Sequence, residues 1–163
     1  MEEYWDIYDE NRVFQNRTIR RGGTFADGEY YVCCEVWFQN SKGEMLVTQR
    51  HPNKKAGGLW EFVGGGVLAG ETTSQASVRE VKEEIGISLT EKELSLLDVY
   101  KQRNYFMDIY LVQKDVNIGS IVLDENETIN VKWVSKEELR DMIENQMVVR
   151  SVAKRFDMLK DKL

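Results

Sequence analysis

The chain has 163 residues, of which 42% are hydrophobic and 31% are charged, a composition that is ordinary for a globular protein with one core. Its formal net charge of −6 argues against nonspecific nucleic-acid binding, which depends on cations that neutralise phosphates. No apolar stretch approaches membrane-spanning length, and the acidic start MEEYWDIYDE is unlike a secretory signal. We therefore expect a cytoplasmic protein that acts on a small molecule, with no membrane or nucleic-acid partner.

The first third of the chain reads as short strands joined by polar turns. Strands are expected at 4–8 and 13–19, and a hairpin follows from 30–39 and 44–49 around the turn 40–43. A further short strand is expected at 59–63. The only cysteines, Cys33 and Cys34, are neighbours in a strand and point to opposite faces, so a disulfide between them is not expected.

The rest of the chain alternates helices and strands after a run of three glycines at 64–66, which we expect to form a loop. A helix is predicted over 72–85, because Thr72 or Thr73 can cap its start and Gly86 its end. Strands are predicted at 94–102, 106–113 and 129–134, and helices from 135 to about 144 and over about 148–160; the first of these has a capping-box pattern, Ser135-x-x-Glu138. This order indicates a mixed α/β layered fold.

The predicted helix 72–85 carries an unusual concentration of like charge. Glu80, Glu83 and Glu84 share an arc of about 100° on the helix surface, beside an apolar stripe that suits packing on a sheet. Like charges at this spacing destabilise a helix unless something offsets their repulsion. A solvated acidic face is the ordinary explanation, but a hard divalent cation such as Mg²⁺, which prefers carboxylate oxygens, would also account for the adjacent glycines.

Nine positions in this region match one fixed pattern. Gly65, Glu71 and the run 79–87 (REVKEEIGI) fit every fixed position of G-x5-E-x7-R-E-U-x-E-E-x-G-U, in which U is aliphatic. This is the Nudix box, here residues 65–87, and the chain resembles the MutT-like Nudix hydrolase family. The resemblance implies an α/β/α sandwich with a mixed β-sheet. It also implies a single domain over 1–163, with N-terminal strands within 1–28 and a C-terminal helix within 146–163.

The resemblance implies a Mg²⁺- or Mn²⁺-dependent hydrolase that cleaves a pyrophosphate linkage in a nucleoside diphosphate joined to another moiety. The expected metal ligands are the carboxylates of Glu80, Glu83 and Glu84 and the backbone carbonyl of Gly64. Two further box residues would support them: Arg79 would orient a helix glutamate by an ion pair, and Glu71 would support the loop or a second metal. The family also leaves a homodimer open.

Candidate residues outside the box are less constrained. Glu127, in an acidic turn before a predicted strand, is a candidate general base, with an exposed turn residue as the alternative. Arg50, Lys54 and Lys55 are candidates for contacting the substrate, and for the two lysines the alternative is an ordinary surface position. The only histidine, His51, is expected to be an exposed loop residue.

Two other functions within the same fold have to be weighed. The N-terminal residues 6–11 and 20–22 are similar to the branch that includes isopentenyl diphosphate isomerase. That enzyme carries a catalytic cysteine between its tryptophan-bearing strand and the box, where this chain has Glu61-Phe62-Val63-Gly64-Gly65. A non-catalytic nucleotide-binding Nudix domain usually loses box carboxylates, and this chain keeps all of them. Hydrolysis is therefore the preferred prediction.

Overall fold

The computed structural model describes residues 1–163 as nine strands and three α-helices, with three short 3-10 turns. The strands are β1 (Tyr4–Tyr8), β2 (Phe14–Arg20), β3 (Tyr31–Gln39), β4 (Met45–Arg50), β5 (Trp60–Glu61), β6 (Val63–Gly66), β7 (Ser95–Lys101), β8 (Tyr105–Gln113) and β9 (Thr128–Val134). The helices are α1 (Thr73–Ile85), α2 (Lys136–Glu144) and α3 (Arg150–Leu159). None of these helices has the length and apolar character that crossing a membrane requires.

Seven strands form the main sheet, in the order β5-β4-β3-β8-β7, with β6 also paired to β3 and β9 to β4. The pair β3–β8 is parallel and the other pairs are antiparallel, so the sheet is mixed, as predicted. Successive residues of β3 point to opposite faces. Trp37 packs with Phe156 of α3 on one face, and Phe38 packs with Val81 of α1 on the other. Helices thus cover both faces, which confirms the α/β/α sandwich.

The N-terminal strands form a separate two-stranded sheet against one end of this sandwich. β1 and β2 pair antiparallel with each other, and a single bridge between Tyr8 and Tyr30 connects them to the main sheet. The turn between them contains Arg12, whose guanidinium bonds both carboxylate oxygens of the buried Asp108 at 2.6 and 2.7 Å. This ion pair fixes the hairpin to β8.

The prediction that the glycines form a loop is wrong, because Gly64, Gly65 and Gly66 lie in strand β6 and pair with β3. A Cβ atom at Gly64 would lie 2.2 Å from the carbonyl oxygen of Cys34, and one at Gly66 would lie 2.6 Å from Nε1 of Trp5. The glycines are therefore required for close packing of neighbouring elements, and they allow a regular strand. The predicted strand 59–63 is accordingly divided between β5 and β6.

The predicted ends of α1 are confirmed, while those of the later helices differ in detail. Thr72 caps α1 in a complete capping box with Gln75, and Gly86 follows the helix with a left-handed φ of 70°. Ser135 caps α2 by accepting a hydrogen bond from the backbone N–H of Glu138 at 3.0 Å. The Glu138 carboxylate accepts from Lys132 at 2.9 Å, so it does not complete the predicted box. The C-terminal helix begins at Arg150.

Candidate active site

The three box glutamates lie at one end of a polar cavity between α1 and β6. Val81 and Ile85 hold α1 against the sheet, which places Glu80 and Glu84 towards β6 and leaves Glu83 exposed. The cavity measures about 260 Å³ and no hydrophobic residue lines it. Its lining consists of six acidic residues, three basic residues and the glycine strand: Glu3, Glu80, Glu83, Glu84, Asp124, Glu127, Arg21, Lys54, Arg79 and Gly64 to Gly66.

Arg79 connects the box residues to one another. Its Nε and Nη2 donate to the two carboxylate oxygens of Glu71 at 2.8 and 2.9 Å, and its Nη1 donates to Glu80 at 2.7 Å and Glu83 at 3.2 Å. Nη2 also donates to the carbonyl oxygen of Gly66 at 3.1 Å. One guanidinium thus joins the turn before α1, the helix itself and strand β6, which is the orienting arrangement predicted for Arg79.

Glu71 lies outside the cavity and contacts the turn that leads into α1. Besides Arg79, its carboxylate accepts a hydrogen bond from the backbone N–H of Leu68 at 2.9 Å. Burial raises the pKa of Glu71, but the hydrogen bonds from Arg79 and Leu68 outweigh that effect and lower it overall. These contacts favour the loop-supporting role over a second metal ligand.

Glu84 differs from the other box glutamates because it is buried and has no cation of its own. It is 7% exposed, and Arg79 forms ion pairs with Glu71, Glu80 and Glu83 but not with Glu84. Burial and the nearby carboxylates of Glu61 and Glu80 raise its pKa well above the usual range. Burial also raises the pKa of Glu80, although Arg79 opposes this shift. The site therefore concentrates negative charge that the protein neutralises only in part.

The three carboxylates line one cavity but do not converge into a ready ligand set. No group of three or more histidine, cysteine, aspartate or glutamate side chains is arranged to hold a metal ion, and two of the three glutamates accept hydrogen bonds from Arg79 instead. Gly64 also lies on this cavity. The assignment of Glu80, Glu83, Glu84 and the Gly64 carbonyl as metal ligands stays a prediction.

Two loops close the opposite side of the cavity. Lys54 forms an ion pair with Glu127, and the backbone N–H of His51 donates to the carbonyl oxygen of Glu127 at 2.9 Å. The backbone N–H of Asp124 donates to the carbonyl oxygen of Glu84 at 3.1 Å. The structure therefore brings Glu127 into the same cavity as the box glutamates. The His51 side chain lines neither this cavity nor the one described next.

A second cavity of about 540 Å³ adjoins the first and shares Arg21, Lys54 and the glycine strand with it. Arg50 and Lys55 also line it, so the predicted substrate-contacting residues lie together. Arg50 is already engaged, however, because its Nη1 donates to both carboxylate oxygens of Glu61 at 2.7 Å and its Nε donates to the Lys55 carbonyl at 2.8 Å.

Sequence reasoning missed three residues that line this second cavity: Trp5, Arg21 and Arg155. Trp5 stacks on Tyr31 with ring centroids 4.6 Å apart, and Arg155 forms an ion pair with Glu35. Arg155 belongs to an amphipathic helix and is only 3% exposed. Nothing in the sequence marks these residues, because strand pairing and helix packing bring them together from distant positions.

Comparison with known proteins gives consistent matches. A family model described as NUDIX domain matches residues 32–155. An uncharacterised Nudix hydrolase of Listeria monocytogenes is 35% identical over 139 residues, which cover 84% of this chain and 82% of the relative. A Deinococcus radiodurans protein has a crystal structure with a TM-score of 0.81 at 21% identity, covering 96% of this chain and 99% of that one. A bifunctional NMN adenylyltransferase/ADP-ribose pyrophosphatase of Francisella tularensis, solved with AMP and a manganese ion, gives 0.67 at 19% identity over 82% and 42% of the chains.

Proposed function

The chain belongs to the Nudix hydrolase family, and on that premise we propose that it cleaves the pyrophosphate linkage of a nucleoside diphosphate derivative with the help of Mg²⁺ or Mn²⁺. The observation that carries the proposal is Glu84, a buried carboxylate without an ion-pair partner beside Glu80 and Glu83. Burying a charge without a partner is unfavourable, so a site that keeps one there needs a cation from outside the chain.

The residues present suit a hard divalent cation. Six acidic side chains against three basic ones line the glutamate cavity, and none of its lining residues is hydrophobic. Mg²⁺ and Mn²⁺ prefer carboxylate and carbonyl oxygens, which Glu80, Glu83, Glu84 and the Gly64 backbone would supply. The Francisella relative was solved with a manganese ion, which supports the same choice of metal.

A divalent cation bound here would neutralise charge on the substrate phosphates and lower the pKa of a coordinated water. Arg79 holds Glu80 and Glu83 in position, since its Nη1 donates to both carboxylates at 2.7 and 3.2 Å. Glu127 lies across the cavity from these residues and is our candidate for the group that accepts a proton from the attacking water. Lys54, its ion-pair partner, keeps that carboxylate within the cavity.

The substrate would extend from the glutamate cavity into the adjoining one. Arg21 and Lys54 line both cavities, so their positive charges stand where phosphates would cross from one to the other. Lys55 lines the second cavity. We propose Lys54 and Lys55 as substrate-contacting residues. Arg50 instead acts through Glu61, because its guanidinium is already committed to that carboxylate.

The structure offers no support for an isomerase that depends on a cysteine. Cys33 lines the second cavity and Cys34 is fully buried, but neither lies between Trp60 and the box. Burial raises the pKa of the Cys34 thiol to about 12, and burial also raises the pKa of Cys33. Both thiols are therefore protonated at neutral pH and are poor nucleophiles or bases.

The proposal is tested by a phosphate-release screen over nucleoside diphosphate derivatives in the presence of Mg²⁺. The panel includes ADP-ribose, nucleotide sugars, dinucleoside polyphosphates and nucleoside triphosphates, each run with Glu83→Gln and Glu84→Gln beside the unmodified protein. We expect at least one compound to be hydrolysed, and its turnover to need the metal and to be lost in Glu84→Gln. Absence of turnover across the panel, or full activity in both variants, would refute the proposal. Isopentenyl diphosphate is included with proton exchange monitored, because exchange would favour the isomerase.

A further inference from the structure

One buried donor in the second cavity has no partner within the protein. Arg155 is 3% exposed, and its Nη1 is the only enclosed side-chain nitrogen or oxygen that lacks a hydrogen-bond partner. Buried polar groups are almost always paired, so an exception calls for a physical reason. Arg155 also belongs to the wall of the second cavity, next to the proposed pyrophosphate site.

The rest of the guanidinium is fixed. Its Nε donates to Oε1 of Glu35 at 3.1 Å and its Nη2 donates to Oε2 of the same carboxylate. Trp37 Nε1 also donates to Oε1 of Glu35 at 2.7 Å, so that carboxylate is already well supplied with donors. Because two edges of the planar group are held by Glu35, the remaining nitrogen keeps a defined direction.

The surroundings of Arg155 resemble a site for a flat organic group. Aromatic and apolar side chains dominate this part of the wall, among them Trp5, Tyr31, Phe62 and Met107. The cavity measures about 540 Å³, which is within the range of pockets that hold small ligands. Apolar walls with one fixed polar group are typical of sites that orient a ring and read a single substituent.

We propose that Arg155 is a specificity-determining residue, and that a nucleobase with an exocyclic carbonyl oxygen occupies this cavity and accepts a hydrogen bond from Nη1. This proposal rests on the proposed function for the position of the phosphates, at Arg21, Lys54 and the glycine strand shared by both cavities. Hypoxanthine and guanine carry a carbonyl oxygen at the six position, whereas adenine carries an amino group there. An amino group is a donor and would face Nη1 with the wrong polarity.

A structural explanation makes a different prediction. If the Arg155–Glu35 pair only joins α3 to β3, a buried water can satisfy Nη1 and the cavity has no reason to distinguish one base from another. Binding of two nucleotides that differ at one position separates the two explanations.

The experiment compares binding of IMP and AMP to the full chain by isothermal titration calorimetry. We expect the unmodified protein to bind IMP at least about 10-fold more tightly, the factor that a hydrogen bond from a charged donor typically provides. Arg155→Lys retains a cation for Glu35 but has no second amino group, so its ratio of affinities should fall towards one. Arg150→Lys is the matched control, since Arg150 is exposed at the start of the same helix and does not line the cavity.

Equal affinities in the unmodified protein, or an unchanged ratio in Arg155→Lys, would overturn the proposal. If Arg155→Lys fails to fold, the comparison in the unmodified protein still decides, and Glu35→Gln, which keeps Arg155, should retain the preference for IMP. The measurement is made without a divalent metal and needs no turnover. A negative hydrolysis screen would therefore refute the proposed reaction while leaving this result intact, and equal binding would leave the hydrolase proposal standing.

Discussion

Gly65 lies directly against the carboxylate of Glu80. A Cβ atom at position 65 would come within 2.4 Å of Glu80 Oε1 and 2.5 Å of its Cδ, so no larger residue fits while that carboxylate keeps its place. The two residues belong to different elements, β6 and α1. A strand residue without a side chain thus determines where a helix glutamate can sit, and this explains why the glycines and the glutamates occur together in the pattern.

The first prediction compares alanine at two adjacent glycines. Gly65→Ala displaces only the flexible end of Glu80, so we expect a stability loss of less than about 1 kcal/mol and a loss of hydrolysis of at least about 10-fold. Gly64→Ala places a Cβ 2.2 Å from the Cys34 carbonyl oxygen, where the backbone has to move, and should destabilise the fold by about 1–3 kcal/mol. Urea denaturation and steady-state kinetics separate the two effects. The reverse pattern would mean that Glu80 does not need its observed position.

The second prediction concerns the buried charge at Glu84. Glu84→Gln removes a charge that the protein does not pair, so the metal-free variant should be at least as stable as the unmodified protein. Mg²⁺ should raise the melting temperature of the unmodified protein and have little effect on the variant, because a ligand that binds only the folded state stabilises it. Thermal denaturation with and without Mg²⁺ measures both quantities. An equal Mg²⁺-induced increase in the two proteins would exclude Glu84 as a ligand.

The third prediction distinguishes Glu127 from a neighbouring acid. Glu127 lines the glutamate cavity, whereas Glu125 of the same turn does not. If Glu127 accepts the proton from water, Glu127→Gln should lower kcat by about 100-fold or more and remove the acidic limb of the pH–rate profile, with little change in KM. Glu125→Gln should retain nearly full activity. A matching loss in both variants would indicate that the charge of the turn, rather than one general base, is what matters.

The fourth prediction tests how the N-terminal hairpin is held. Arg12 bonds both oxygens of Asp108, which is 5% exposed and also accepts a hydrogen bond from the Thr73 hydroxyl at 2.7 Å. Arg12→Met leaves a buried carboxylate without its cation and should lower the free energy of unfolding by about 3 kcal/mol. Arg20→Met removes an exposed pair with Glu2 and should cost less than about 1 kcal/mol. Chemical denaturation of both variants provides the comparison, and equal losses would show that the buried ion pair contributes no more than a surface one.

Local pattern was enough to predict most of the fold. The end signals of α1 act within one helical turn, so Thr72 and Gly86 could be identified from sequence alone. The glycines were harder, because their flexibility suggested a loop while the reason for them lies in β3 and α1. Close approach to the Cys34 carbonyl is a tertiary contact that no local rule contains.

The candidate site divides in the same way. The box glutamates and Arg79 are close in sequence and share a helix, so their spacing identified them as a group. Arg155 and Glu35 are 120 residues apart, and their pairing depends on how α3 crosses β3. Arg21 reaches both cavities only because β1 and β2 fold as a separate sheet. Residues of this kind require the three-dimensional structure.

The last prediction follows the acid sensitivity of one surface contact. The Glu93 carboxylate accepts hydrogen bonds from Lys114 at 2.7 Å and from the backbone N–H of Thr90 at 2.8 Å. These contacts, that of Lys114 foremost, lower the pKa of Glu93 from 4.5 to about 2. Because the folded-state pKa lies below the unfolded one, the stabilisation is present above about pH 4.5 and is lost as the pH falls towards 2. An NMR titration of the Glu93 carboxyl carbon, assigned with Glu93→Gln, should show the low pKa, and Lys114→Met should raise it. A pKa near 4.5 in the unmodified protein would show that these hydrogen bonds do not persist in solution.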